Sequence, residues 1–182
     1  MALAGEKKMK KELLIVDGYN VIGDWPELNQ LQRKDQLAEA RDQLLWDLSE
    51  YQKYSGKEVI VVFDAMYVPG NARTVQVRNV QVVWTSKNET ADSYIEALAT
   101  REQSLFTQVE VATSDHAEQW TIFSAGALRI SARELLREVR RSKVEIKQET
   151  KTYHDQALGN RINFNETEAQ KLRDLYRRLN QD

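Results

Sequence analysis

Apolar residues in this chain come in short runs, and the runs repeatedly end in an acid. Leu13-Leu14-Ile15-Val16 stops at Asp17-Gly18, Val59-Ile60-Val61-Val62-Phe63 stops at Asp64, and residues 106–112 are closed by Thr113-Ser114-Asp115. Apolar runs of this length, rich in β-branched residues, predict strands buried on both faces, as in a parallel sheet. The stretches between them change period. Leu37, Leu44, Leu48 and Tyr51 share one helical face, with Asp35 as the predicted N-cap and Gly56 as the stop. Residues 80–85 predict a third strand. Residues 88–102 predict a helix capped by Asn88 or Thr90, with acids in its first turn. Residues 128–130 predict a short fifth strand, and Ser131 with Glu134 has capping-box spacing for a helix reaching about Lys143.

Other stretches are less regular. Residues 21–34, with Gly23 and Trp25-Pro26, predict a loop or short turn. Residues 66–79 predict a long surface loop around Pro69-Gly70-Asn71. Residues 115–123 suggest a short helix followed by a turn at Ala125-Gly126. Residues 144–163 are polar and carry no assignment. Asn165 and Glu168 repeat the cap spacing before a last helix with Leu172, Leu175, Tyr176 and Leu179 on one face. Residues 1–8 have no periodicity and read as an extension. The expected division is then a domain over 9–147 and a C-terminal polar segment and helix over 148–182, packed on the domain or extending from it.

Strand and helix alternate at least four times, which predicts an α/β fold. The expected form is a three-layer α/β/α sandwich around a central, mostly parallel sheet. Right-handed crossovers bring every strand's carboxyl end to one edge, the edge where open α/β sheets bind ligands.

Composition narrows the class. The chain has 182 residues with 41% hydrophobic and 30% charged, the balance of a globular rather than a disordered protein. The absence of cysteine removes disulfides, thiolate metal sites and a thiol nucleophile together. Without a long apolar run or a leader-like segment, the default expectation is a cytoplasmic protein with no membrane partner. A net charge of -2 gives no whole-surface attraction to nucleic acid, so any such attraction must be local.

The strand-end acids are the candidate chemistry. Gly18 is read as freedom for the chain to turn after Asp17. A single strand-end Asp often only caps the next turn. Several converging on one crevice repel one another unless a cation lies between them, and a hard ion such as Mg²⁺ or Mn²⁺ prefers oxygen ligands. Asp92, in the first turn of its helix, reaches the same edge, with Glu89 three residues before it and Glu96 one turn after. The competing reading is dipole charge for Glu89 and Asp92 and a solvated Glu96. Asn20 is placed to bond a phosphate or to stabilise the turn. His116 follows Asp115 and reads as a surface or helix-start residue, and His154 carries no role. Arg129, Arg133, Arg137 and Arg140 or Arg141 recur at helical spacing, either as a phosphate-facing stripe or as a solvated face paired with Glu134 and Glu138. Arg73 lies beside the 66–79 turn. Trp84, Trp120 and Phe123 read as core residues.

Five segments taken together resemble a known family: Leu14-Ile15-Val16-Asp17-Gly18-Tyr19-Asn20, Val61-Val62-Phe63-Asp64-Ala65, Asn88-Glu89-Thr90-Ala91-Asp92, Ala112-Thr113-Ser114-Asp115, and the stretch from Gly126 to Leu136. They resemble the YacP-like group of NYN-domain proteins, which belong to the PIN-like nucleases. The resemblance implies a metal-dependent endoribonuclease using Mg²⁺ or Mn²⁺. By position, it implies Asp17, Asp92 and Asp115 as the acidic metal-binding and catalytic set, Asp64 and Glu89 as supporting carboxylates, and Asn20 as a site residue. It further implies cleavage of messenger RNA in association with the ribosome. Arg129, Arg133, Arg137 and Arg73 are the candidate RNA-binding residues. The alternatives are a non-catalytic RNA- or ribosome-binding module and a phosphoryl-transfer domain. The latter is disfavoured by Tyr19 where an Asp-x-Asp motif wants its second acid, and by the lack of a Gly-rich Lys-Ser/Thr phosphate loop.

Overall fold

The computed structural model describes residues 10–65, 73–114 and 126–162. In chain order the elements are β1 (Lys11–Asp17), α1 (Gly18–Asp24), α2 (Pro26–Arg33), α3 (Leu37–Ser55), β2 (Glu58–Phe63), β3 (Arg73–Val77), β4 (Val80–Trp84), α4 (Ala91–Glu102), β5 (Thr107–Ala112), β6 (Leu128–Ile130) and α5 (Ala132–Ile162). The six strands form one sheet in the order β3-β4-β2-β1-β5-β6. All neighbours are parallel except β3 and β4. Strand β1 lies between β2 and β5, so the chain leaves it towards one side of the sheet and later returns on the other. Asp17 ends the strand at that switch point, the place where open α/β sheets form their ligand crevice.

Alternation along the strands assigns the two faces. Leu14, Val16, Val61, Phe63 and Val82 pack into one core with residues of α1, α2, α3 and the first turns of α5. Leu13, Ile15, Ile60, Val62, Val83 and Val111 pack into a second core with Ile95, Leu98 and Ala99 of α4. Helices on both faces of a mostly parallel sheet give the expected three-layer sandwich. The chain divides into two units, Met1–Lys143 and Val144–Asp182. The sheet belongs to the first. In the second, the backbone from 144 to 162 is helical.

Several local expectations hold. Thr90 caps α4 by accepting from the Ser93 N–H at 3.2 Å. Ser131 and Glu134 form the reciprocal capping box of α5, at 2.9 and 3.2 Å. Gly56 closes α3 at φ 74°, the left-handed conformation that suits glycine. Glu96 is exposed, in keeping with its solvated reading.

Others are corrected. Residues 21–34 are not a loop. They hold most of α1 and all of α2, broken between Asp24 and Pro26, and Val21, Ile22, Trp25 and Leu28 are buried. The buried Trp25 indole N–H donates to the Ala132 carbonyl at 2.8 Å and so ties this junction to the start of α5. Asp35 does not cap α3. It stands at φ 58° with its N–H on the Gln32 carbonyl, so it finishes α2 instead, and aspartate tolerates that left-handed conformation. Gln36 takes the N-cap position of α3 without a side-chain bond. Within the predicted 66–79 loop, residues 73–77 form β3, an antiparallel edge strand joined to β4 by the two-residue turn Arg78-Asn79. Asn79 anchors that turn to Ser49, and its carbonyl accepts from Gln52. The unassigned 144–162 stretch continues α5. The short helix expected at 115–123, with Trp120 and Phe123, and the last helix from Asn165 lie outside the described residues.

Candidate active site at the carboxyl edge of the sheet

Asp17 is the last residue of β1 and the N-cap of α1, and its Oδ1 accepts from the Asn20 N–H at 3.1 Å. The capping role considered for it is therefore real, and it does not exhaust the residue. Only 7% of Asp17 is exposed, and burial pushes its carboxyl from 3.8 up to about 6. The Asn20 N–H opposes that rise by stabilising the charge, while the negative charge of Asp92, and behind it Asp64, pushes the same way as burial. Three aspartates thus share one electrostatic neighbourhood at the end of the central strand.

The other acids come from different elements. Asp64 follows β2, and its Oδ2 accepts from the Ala91 N–H at 3.2 Å, which places its carboxylate against the start of α4. Thr85 braces that strand end: its N–H donates to the Phe63 carbonyl at 3.0 Å and its Oγ1 accepts from the Ala65 N–H at 3.1 Å. Asp92 sits exposed in the first turn of α4, and Glu89 lies half-buried just before it. Strand alternation turns Asp17 and Asp64 to the α4 side of the sheet, since Leu13, Ile15, Ile60 and Val62 fill the α4-side core. Asn20 accepts from the Ser114 N–H at 2.9 Å and so fastens α1 to the end of β5. Ser114 Oγ accepts in turn from the Ala132 N–H at 3.3 Å, at the start of α5. Asp115, the next residue along, lies outside the described residues, as does His116. Among the described residues, no three acids or histidines stand close enough to hold a metal ion.

Gly18 serves this edge differently from the expectation. It is the first residue of α1 and its φ is not positive; what it supplies is room. A Cβ there would lie 2.2 Å from Phe63 Cε1, an impossible approach.

The cationic candidates are dispersed. Arg129 is half-buried in β6, and its Nε has no hydrogen-bond partner among the described residues. Arg133 lies 3.5 Å from Asp24, and Arg137 lies 3.9 Å from Glu134. Both line an open groove of about 550 Å³ with Asp24, Pro26 and Ser131. Glu138, considered as a further partner, instead accepts from the buried Tyr51 hydroxyl, which burial and this bond hold well above the ordinary tyrosine range.

Arg73, at the start of β3, lies with its guanidinium 5.3 Å from the centre of the Trp84 ring. Arg41 of α3 approaches the same ring at 5.3 Å and donates to the Tyr19 hydroxyl at 3.2 Å. Phe63 stacks on Trp84 at 4.8 Å and meets Tyr19 at 5.0 Å. Trp84 does pack against the core, as expected, but it remains half-buried at its margin. The sequence reading missed Arg41, because no period links residues 19, 41, 73 and 84.

A buried strand-end carboxylate with further acids at one edge of a mostly parallel α/β sheet is an arrangement suited to phosphate chemistry, and the family the chain matches makes that chemistry nuclease-like and RNA-related. The YacP-like NYN domain model matches residues 14–177, and the chain belongs to that family. The uncharacterised protein YacP of Bacillus subtilis (strain 168) is 53% identical over 128 residues, covering 70% of this chain and 75% of that protein. The crystal structure of Rae1 (YacP) from Bacillus subtilis superposes with a TM-score of 0.70 at 44% identity, covering 91% of this chain and 94% of that one. A mutant form of the same Bacillus protein gives 0.71 at 46% identity over 79% and 84% of the two chains. No helix among the described residues is long and apolar enough to cross a membrane.

Proposed function

We propose that this protein is an endoribonuclease dependent on Mg²⁺ or Mn²⁺, acting in the cytoplasm on messenger RNA in association with the ribosome. The observation that carries the reading is the Asp17 carboxylate, buried at the sheet's switch point and stressed by Asp92 and Asp64. An all-oxygen donor set of this kind suits a hard divalent cation. Asp17, Asp92 and Asp115 would hold it, with Asp64 and Glu89 in support. When bound, such an ion activates water and neutralises charge developing on a phosphodiester.

The chain's own residues supply the geometry. Asp17 is held by the Asn20 N–H and is buried at the end of β1. Asn20 holds the end of β5 through the Ser114 N–H. Asp64 is held against the start of α4, the helix that carries Asp92. Arg129, Arg133 and Arg137 supply positive charge for the RNA backbone. The messenger and ribosome parts of the proposal rest on the family resemblance.

The test is cleavage of a defined messenger RNA with added Mg²⁺ or Mn²⁺, with and without translating ribosomes. Cleavage that needs the metal and disappears in folded Asp17→Asn and Asp92→Asn proteins is the expected result. Full activity in either variant, or RNA binding without metal-dependent cleavage under any condition, refutes the assignment.

A further inference from the structure

Two guanidiniums converge on one aromatic ring at the same edge of the sheet: Arg73, so far only a candidate RNA-binding residue, and Arg41, to which the nuclease reading gives no role. Arg41 and Arg73 come from a helix and an edge strand far apart in sequence, yet each places Cζ 5.3 Å from the centre of Trp84. Two like charges each 5.3 Å from one ring centre are no more than twice that distance apart and repel. The ring's π face offsets part of that cost, because cations over tryptophan are stabilised by its quadrupole. No carboxylate among the described residues lies within ion-pair distance of either guanidinium, although other arginines of the domain have such partners. Phe63, stacked at 4.8 Å, takes up one side of the indole. The arrangement suits an anion held by both arginines.

Its place in the fold indicates which anion. Trp84 ends β4 and belongs with the α3-side core, whereas Asp17 and Asp64 turn to the α4 side. The two groups therefore sit on opposite faces of the same carboxyl edge. Strands β4 and β1 are two strand spacings apart, roughly 10 Å. The Tyr19 hydroxyl, two residues past Asp17, accepts from Arg41 and joins the groups physically. A polyanion lying over the edge reaches both.

We propose that Arg41 and Arg73, positioned by Trp84 and Tyr19, form a clamp for a backbone phosphate of single-stranded RNA flanking the phosphodiester at the acidic site. The clamp rests on the nuclease reading and extends it to a second subsite across the sheet edge. Guanidinium forks match phosphate oxygens in pairs, and a tryptophan that holds the forks in place reduces the entropy lost on binding. The stiffness of the clamp then sets the path of the RNA strand into the acidic site. Trp84 and Tyr19 are positioning residues; the arginines make the contact.

The test uses fluorescein-labelled single-stranded oligouridine RNA and the full chain carrying Asp17→Asn, so that binding is measured without cleavage. Affinity is read by anisotropy over a salt series. Adding Arg41→Gln or Arg73→Gln is expected to weaken binding roughly tenfold each, and to reduce the slope of log affinity against log salt by about 0.7 per arginine. Arg73→Lys keeps the slope while losing part of the affinity, because the charge remains and the fork does not. Arg73 is exposed on an edge strand, so this variant leaves the core untouched. Unchanged affinity and slope in both glutamine variants overturn the clamp. Absence of RNA binding by the parent protein overturns it as well. The nuclease reading is judged separately, by metal-dependent cleavage in the protein with Asp17 intact. Cleavage together with unaffected glutamine variants would leave the nuclease and remove only the clamp.

Discussion

Replacing Asp17 with asparagine is expected to stabilise the metal-free protein, and to do so only above mildly acidic pH. Burial raises the carboxyl from 3.8 to about 6, so the folded state binds its proton more tightly than the unfolded chain. Below the unfolded value both states are protonated and the site costs nothing. As pH rises through the interval between the two values the unfolded chain loses its proton first, and stability falls with pH. Above about 6 the full penalty is present: a rise of roughly 2 units corresponds to about 3 kcal/mol at 1.36 kcal/mol per unit. Asparagine resembles the protonated acid and still offers an oxygen to the Asn20 N–H. The Asp17→Asn protein should therefore be more stable by about 1–3 kcal/mol near pH 8 in chelator, and equal to the parent below about pH 4. Urea unfolding followed by the fluorescence of the four tryptophans measures the difference. Mg²⁺ or Mn²⁺ should close most or all of the gap, since an ion at about 100 times its Kd stabilises the parent by roughly 2.7 kcal/mol and leaves the variant unmoved. A variant that is less stable than its parent by the same amount at both pH values refutes this reasoning. Asp17 would then act only as a helix cap.

Three further outcomes follow from the same geometry. Gly18→Ala drives a methyl to 2.2 Å from the Phe63 ring and should cost about 1–3 kcal/mol in urea unfolding; a second change, Phe63→Leu, should recover part of it, and an unaltered midpoint in Gly18→Ala would contradict the packing. Asn20→Ala leaves the Ser114 N–H without its partner at the end of β5, which should cost about 1–2 kcal/mol and lower cleavage, whereas Asn20→Asp should keep the bond and recover the stability. Asp92 is exposed on the first turn of α4, so Asp92→Asn should abolish cleavage while moving the unfolding free energy by no more than about 0.5 kcal/mol.

The sequence by itself determined the layers and the positions of Asp17 and Asp64 at strand ends. Apolar runs ending in aspartate state a buried parallel strand and a polar turn together, because such a strand has no solvent face and its end is where polar groups return. Local bonding made the starts of α4 and α5 and the stop of α3 legible, since Thr90, Ser131 with Glu134, and Gly56 act within a few residues of themselves, whereas α5 runs to Ile162, past its expected end near Lys143. Where the decisive contact is long-range, the pattern was silent or misleading. Strand β3 was hidden because its five residues, Arg73–Val77, give only the brief alternation of Val75 and Val77 and lie beside the strong turn signal at Pro69-Gly70-Asn71. Helices α1 and α2 are only 7 and 8 residues long, too short to reveal a period, and they are held by the burial of Trp25 and Leu28. Asp35 has the chemistry of a cap, but tertiary packing used it to end the preceding helix.

Only the tertiary structure decided the environment of Asp17 and the purpose of Gly18. The first depends on how much water the surrounding elements exclude, and the second on the ring of a residue 45 positions away. The meeting of Arg41 and Arg73 on Trp84 belongs to the same class. Three elements that share no local signal were brought to one edge by the order of strands, and strand order is set by packing summed over the whole sheet rather than by any stretch of the chain.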